Sequence, residues 1–194
     1  LIYNWKREAD KFLPDLKVLI IEGVKEKRQL LLECCSDYDL IVTSYGTLKN
    51  DSEEYERLEF SYIFIDEAQN IKNPMTLNAE SVKKLKAGCC FAITGTPIEN
   101  RLLELWSIFD FIMPGYLYSQ KEFKELYEEP IMGNKGERNC AYNMSSNKEK
   151  EEKRKELSLL VKPFILRRMK KEVLEELPEL TQTDCLTEMT EHQK

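Results

Sequence analysis

The sequence predicts an α/β fold in which a mostly parallel sheet is flanked by helices. Short apolar strands alternate with helix-length amphipathic segments as far as residue 113, the pattern of a layered α/β domain. Within "YIFIDEAQNIKNP", residues 62 to 74, the apolar run from Tyr62 to Ile65 is continuous rather than alternating. Such a run suits a strand covered on both faces of a parallel sheet. It stops at Asp66 and Glu67, and in sheets of this kind ligands gather at the carboxyl ends of the strands.

Residues 1 to 13 place Ile2, Trp5, Ala9 and Phe12 on one helical stripe, which Pro14 stops. "KVLII", 17 to 21, reads as a short buried strand closed by Gly23, and "KEKRQLLLECC" as a helix with Leu30, Leu31 and Cys34 facing inward. "YDLIVTSY", 38 to 45, is a second strand, with Gly46 opening the turn after it. A polar helix precedes the strand that ends at Asp66. Residues 75 to 86 form an amphipathic helix with Leu77, Val82 and Leu85 on its core face, and "CCFAIT", 89 to 94, is a fourth strand leading into "GTP". From Asn100 to Met113 the pattern is helical and apolar, carrying Leu102, Leu105, Trp106, Phe109 and Ile112, until Pro114-Gly115 breaks it. After residue 128 the character changes: "GNKGERNCAYNMSSN" is loop-like, and "KEKEEKRKELSLLV" is a charged helix with a solvated face.

With 194 residues, the chain holds one sizeable domain and part of another. Its charged share of 33% and hydrophobic share of 42% are ordinary for a globular protein. A net charge of -6 argues against a generally basic nucleic-acid binder and leaves room only for a local basic strip. The apolar runs are too short to span a bilayer and no signal peptide leads the chain, so no membrane partner is expected. The cysteines fall as Cys34-Cys35, Cys89-Cys90, Cys140 and Cys185, without the two-residue spacer of a zinc knuckle. They read as buried thiols in a reducing cytoplasm. The chain starts at Leu1 and reads as a piece of something longer.

Taken alone, Asp66 and Glu67 fit two readings. Paired carboxylates at a strand end can hold a divalent cation and orient a water, or they can cap the next helix. In "TGTP", Thr94 and Thr96 offer hydroxyls at another strand end, Gly95 lets the backbone turn, and Pro97 starts a helix. Thr43 and Ser44 suit helix capping as well as phosphate contact, Trp5 suits core packing, and Gln69 suits a plain surface amide.

Read in order, "YNWKREADKFLP", "IVTSYGTL", "IFIDEAQNIKNP", "AITGTPIENRLLELWSIFDFIMPG" and "PFILRRMKKEVLEELP" resemble successive signatures of the Swi/Snf-type ATPases, helicase-like duplex-DNA translocases of helicase superfamily two. The boxes cover most of residues 3 to 180 and look more bacterial than eukaryotic. The resemblance implies a RecA-like lobe of the P-loop NTPase type, with ATP and Mg as cofactors. Asp66 would hold the magnesium of the bound nucleotide and Glu67 would polarise the attacking water. Gln69 would contact nucleotide or the partner lobe, and Thr94, Gly95 and Thr96 would link nucleotide state to the second lobe and to DNA. For double-stranded DNA it implies Asn4, Trp5, Lys6, Thr43, Ser44, Tyr45, Lys72 and Asn73, through hydroxyls, amides and backbone N–H groups that touch phosphates without reading bases. Arg167, Arg168, Lys170 and Lys171 fall in the connector between lobes, or on a solvated helix face.

Nowhere does the sequence contain G-x-x-x-x-G-K-[ST], the phosphate-cradling loop that the family carries upstream of the first box. The resemblance therefore implies a first lobe truncated before its P-loop strand over residues 1–127, a helical insertion over 128–162 and a connector over 163–194 leading to an absent second lobe. By itself this piece is expected to be inactive, and to self-associate through strand edges left unpaired. A DEAD/H-type strand-separating helicase and a non-catalytic interaction module with the same fold are the alternative readings. The "LxELWSxxxF" helix and the "PFxLRRxKxxV" connector favour the translocase, whose expected location is the cytoplasm, on the bacterial nucleoid.

Overall fold

Parallel strand pairing organises the first part of the chain. The computed structural model describes residues 1–96, 101–132 and 143–169, which divide into two units, 1–155 and 156–194. In the first unit, helix α1 (Ile2–Phe12) leads to β1 (Val18–Ile20), α2 (Lys25–Glu33), β2 (Leu40–Val42), α3 (Tyr45–Asn50) and α4 (Ser52–Tyr55). Then come β3 (Glu59–Ile65), a 3-10 turn (Ala68–Ile71), α5 (Leu77–Lys83), β4 (Lys86–Ala92) and α6 (Leu102–Ile112). Strand β1 pairs with β2 and β3 with β4, both in parallel, as two two-stranded ladders among the described residues. The α/β fold with parallel pairing is as the sequence predicts.

The core gathers Leu19, Ile21, Leu48, Tyr55, Ile65, Ile71, Val82, Ile108 and Phe111 between the ladders and their helices. Helix α6 is its most apolar contributor, burying Leu105, Trp106, Ile108, Phe109 and Phe111, each side chain stabilising the fold by roughly 1.5–3 kcal/mol. Trp106 packs as the sequence suggests, and its indole N–H donates to the Tyr118 carbonyl at 3.1 Å. Past α6 the chain turns at Gly115, whose φ of +80° lies in the left-handed region that favours glycine. At Gly88 the reason is space: a Cβ there would meet the Ser61 carbonyl oxygen of β3 at 3.1 Å.

Several expectations need correction. The β3–β4 ladder is covered on one face only: Ile63, Ile65, Cys90 and Ala92 turn inward, whereas Tyr62 and Phe64 are 64% and 60% exposed. Phe64 stacks on its register partner Phe91 across that open face, centroids 4.7 Å apart. Helix α1 buries none of its residues, so its apolar stripe is not a core face. On α2 Leu32 is buried and Leu31 packs half-buried against the core, the latter as expected, with Cys35 buried just beyond the helix, while Leu30 lies 66% exposed; the cluster of leucines left the phase of the helix open. Helix α5 is shorter than expected and Leu77 is exposed, because Thr76 caps it and β4 begins already at Lys86. Of the four described cysteines, all free thiols, Cys89 is exposed rather than buried.

Short helices α7 (Gln120–Phe123) and α8 (Glu129–Met132) flank one π-helical turn, Lys124–Glu128. That turn brings Glu128 inward to accept both Arg101 N–H groups, at 3.0 and 3.1 Å, which anchors the start of α6. Helix α9 (Asn143–Val161) carries the charge run, mostly exposed over 147–156. In the second unit Leu157 and Val161 are buried, and Arg167 and Arg168 are exposed outside any helix. Pro97, Lys170 and Lys171 lie outside the described residues. No helix among the described residues is long and apolar enough to cross a membrane.

Two buried polar side chains test this packing. The fully buried Ser107 hydroxyl on α6 donates to the Ile71 carbonyl at 2.6 Å and ties α6 to the turn after β3. Ser107→Ala leaves that carbonyl unsatisfied and should cost about 1–3 kcal/mol, read as a lower denaturant midpoint in a urea titration. Burial pushes the Tyr55 phenol up to about 12, above the roughly 10 of an unfolded tyrosine. The unfolded chain therefore ionises first as pH rises. Stability is fully present below pH about 10 and falls by on the order of 2 kcal/mol as pH climbs towards Tyr55's own value. Tyr55→Phe should flatten that alkaline limb in pH-dependent melts.

Candidate functional site

The site forms where β3 and β4 end side by side. The ladder continues one step past β4, with Ile93 N–H donating to the Ile65 carbonyl at 2.8 Å. Ala68 N–H then returns to the Ile93 carbonyl at 2.9 Å, so the chain leaving β3 is pinned against β4 immediately after the acid pair. Glu67 sits between these anchors with φ 51° and ψ 51°, in the left-handed region. A non-glycine residue held there costs on the order of 1–3 kcal/mol and persists only where its surroundings fix it. Asn70 supplies part of that fixing, its backbone N–H and side-chain amide donating to the Glu67 carbonyl at 3.0 and 2.9 Å.

Asp66 is held from several sides. Its Oδ1 accepts the Glu67 N–H at 2.8 Å, and its Oδ2 accepts the Trp5 indole N–H at 3.1 Å. Its carbonyl accepts the Tyr45 hydroxyl at 2.9 Å. Tyr45 is part-buried, and burial together with the nearby Asp66 and Glu67 charges pushes its phenol well above the usual tyrosine range, so it stays a donor. Glu67 is gripped through its side chain: Gln69 Nε2 donates to Oε2 at 2.5 Å, and Thr94 in turn donates its hydroxyl to Gln69 Oε1 at 2.9 Å. Thr96 N–H closes the turn onto the Thr94 hydroxyl at 3.2 Å.

This geometry bears on the helix-capping reading of the acid pair. Glu67 occupies the N-cap position of the 3-10 turn but makes no side-chain capping bond; its carboxylate is directed to Gln69 instead. Gln69 is accordingly a bridge between two strand ends, not a plain surface amide. Trp5 is not core: it is 43% exposed and points its donor at Asp66. A Cβ on Gly95 would meet nothing within 4 Å and its φ is not left-handed, so no close approach demands glycine there.

Of the residues assigned to DNA, Trp5 and Tyr45 converge on the acid pair and the others spread around it. Ser44 caps α3, accepting the Thr47 N–H at 3.1 Å, and the Thr43 hydroxyl donates to the Ile21 carbonyl at 3.3 Å. On α1, Asn4 accepts from Arg7 at 2.7 Å and Lys6 pairs with Asp10 at 3.1 Å. Asn73 is exposed, its side chain accepting the Met75 N–H. Lys72 is buried and its ammonium faces Glu104 at 3.4 Å. Ser107 and the Arg101–Glu128 pair, which brace the turn and α6, carried no motif signal; their partners lie 36 and 27 residues away.

The residues fit a magnesium ion delivered with a nucleotide. Among the described residues no group of three or more His, Cys, Asp or Glu side chains gathers as a cage. Magnesium commonly takes one or two carboxylates and completes its shell with phosphate oxygens and water. Each Asp66 oxygen accepts one recorded hydrogen bond and retains a further lone-pair direction for that purpose.

Comparison with known proteins shows the family. The chain is 38% identical over its whole length to an uncharacterised ATP-dependent helicase of Mycoplasma genitalium, covering 17% of that protein. It is 39% identical over 98% of its length to the TATA-binding protein-associated factor MOT1 of Saccharomyces cerevisiae, covering 10% of it. Against the putative ATP-dependent helicase/translocase YwqA of Bacillus subtilis it is 41% identical over 91% of the chain, covering 18% of that protein. The chain thus spans less than a fifth of each of these relatives. Its fold matches the Sulfolobus solfataricus SWI2/SNF2 ATPase core in complex with dsDNA, with TM-score 0.69 and 41% identity over 91% of this chain and 34% of that one. Since the SNF2-related domain family also matches every residue from 1 to 194, the chain belongs to this family.

Proposed function

We propose that residues 1–194 form part of the motor of an ATP-dependent double-stranded DNA translocase. One observation carries this reading: Glu67, fixed in a left-handed conformation at the end of β3, has one carboxylate oxygen held by Gln69. That leaves Oε1 to accept a proton from a water attacking the terminal phosphate, the role of a general base. Asp66 is the magnesium ligand. Magnesium bound with ATP neutralises the charge that develops on the transferring phosphoryl group. Gln69 and Thr94 hold Glu67 at a set distance from the β4 strand end, and Thr94, Gly95 and Thr96 form the segment through which nucleotide state reaches a second RecA-like lobe.

Double-stranded DNA is preferred over separated strands as the track because the matched Sulfolobus core is in complex with dsDNA. Exposed Asn4, Trp5, Ser44 and Asn73, with the half-buried Lys6 and Thr43, make the phosphate-facing surface; Tyr45 and Lys72 support it from beneath. Such a motor works in the cytoplasm, on the nucleoid of a bacterium. The open β3–β4 face with Tyr62, Phe64 and Phe91 is the surface through which copies of this stretch by itself would associate.

In the ATPase that contains this chain, Glu67→Gln should slow turnover by about 10²–10⁴-fold while nucleotide affinity stays close to that of the unaltered protein. Steady-state hydrolysis and a fluorescent-nucleotide titration read the two quantities, and near-normal turnover would remove Glu67 from its role. Duplex binding should show no sequence preference and should weaken as salt rises, since the contacts are to phosphates. Fluorescence anisotropy across a salt series tests this: a flat salt dependence, or discrimination between duplexes, would contradict backbone tracking.

A further inference from the structure

We propose that Trp5 and Tyr45 are positioning residues that tie the two DNA-facing segments to Asp66, so that duplex binding and magnesium–nucleotide binding alter each other's affinity within this one stretch of chain. The inference rests on the reading of the acid pair given above. It starts from two hydrogen bonds that converge on one residue from distant parts of the sequence. Trp5 lies 61 positions before Asp66 and donates to its carboxylate; Tyr45 lies 21 before and donates to its carbonyl. An indole has a single polar group, a donor, so the direction of the first bond is not in doubt.

What surrounds the two aromatic residues makes the ties consequential. Trp5 stands between Asn4 and Lys6 on α1, and α1 buries none of its residues. Helix α1 lies against β1 and β2 with Ile2, Lys6 and Ala9 half-buried, and two polar ties, Trp5 to Asp66 and Tyr3 to Glu22, fasten it further. With no fully buried side chain to extract, α1 can shift under a duplex that presses on Asn4 and Lys6, and the shift is delivered to Asp66 Oδ2. Tyr45 is the first residue of α3 and follows Ser44, whose hydroxyl caps that helix. Displacing Ser44 towards a phosphate displaces Tyr45, and with it the hydrogen bond on the Asp66 carbonyl. Each segment thus has one exposed polar group for the duplex and one aromatic donor for the acid. Linkage makes the effect reciprocal: whatever the duplex does to magnesium–nucleotide affinity, magnesium nucleotide does to duplex affinity by the same factor.

The test uses the whole ATPase that contains the chain, with magnesium and the non-hydrolysable analogue AMP-PNP as one probe and a short random-sequence duplex as the other. In the unaltered protein, saturating duplex should tighten AMP-PNP binding by a factor within the range of about 5- to 150-fold usual for coupled sites. In the Trp5→Phe, Tyr45→Phe double variant, which keeps an aromatic ring at each position and removes both donors, that factor should fall to no effect; it is read at duplex concentrations that saturate the variant, so a weaker duplex affinity does not alter the reading. A general loss of structure would weaken both affinities without abolishing their ratio. Undiminished coupling in the double variant, or binding of both probes by the unaltered protein without coupling, overturns this proposal alone; failure of the unaltered protein to bind either probe overturns the underlying functional reading too. Hydrogen exchange on the unaltered protein gives a readout that needs no variant. Magnesium with AMP-PNP, in the absence of duplex, should change exchange within Ile2–Phe12 and Tyr45–Asn50, and unchanged exchange in both helices overturns the coupling.

Discussion

Asp66 sits where three parts of the chain meet, and the rest of the site takes its geometry from that meeting. Strand β3 brings it to the ladder end, Trp5 reaches it from the N-terminal helix, and Tyr45 reaches it from the start of α3. A carboxylate on an unsupported strand end would sample several rotamers, losing the preorganisation that charge stabilisation relies on. Here one oxygen is oriented by a backbone N–H and the other by an indole, while the ladder fixes the main chain on both sides. The left-handed turn at Glu67 is the consequence. With Ile65 and Ala68 both bonded to Ile93, the two residues between them must reverse direction within a short span, and Glu67 takes the strained conformation.

Gln69 shows why residue chemistry, and not only residue size, is specified next to the acid pair. It must give a hydrogen bond to a carboxylate and receive one from a threonine hydroxyl. An amide does both at once, whereas a carboxylate at that position could only accept and would repel Glu67. The bond to Glu67 has an ionised acceptor and belongs to the stronger class of hydrogen bonds. Through it, the end of β4 constrains the side chain at the end of β3 without any direct contact between Thr94 and Glu67. A one-residue slip of the register that sets Ile65 opposite Ala92 would separate these groups, so the parallel pairing of the strands is itself part of the site.

Local signals carried the strands, the long α6 helix and the acid pair, because each depends on neighbours in sequence: an apolar run, a helical period, a proline or glycine at an end. The same signals misled where burial depends on what lies across the fold. Tyr62 to Ile65 reads as a strand covered on both faces, yet the alternating inward set is Ile63 and Ile65, and Phe64 lies open against Phe91. The stripe on α1 has helical spacing, but against β1 and β2 its Ile2 and Ala9 become only half-buried and none of it is buried. On α2 three consecutive leucines, Leu30 to Leu32, satisfy several helical phases at once, and the tertiary contact selects Leu32, with Leu31 half-buried beside it. The family resemblance implied Trp5 and Tyr45 as DNA contacts and gave no sign that they are partners of Asp66, since nothing in a linear pattern links positions so far apart. Ser107 and Glu128 escaped notice for the same reason.

Burial also sorts the positive charges around the site by what they can do. Lys6 pairs with Asp10 on an exposed helix face, an arrangement worth at most about 1 kcal/mol and readily exchanged for another anion. Arg7 is similarly placed, donating to the neutral oxygen of Asn4. Lys72, by contrast, is buried against Glu104, and drawing it out to a phosphate would leave a carboxylate buried without its partner, the strongly unfavourable half of a broken pair. A molecule with net charge -6 must rely on local cations to approach a polyanion. The cations free to change partners lie on α1, the helix that also carries Trp5, whereas Lys72 keeps the turn beyond the acid pair fastened to α6. The element that can move and the element that must stay still are therefore distinguished by how their lysines are buried, and Asp66 lies between them.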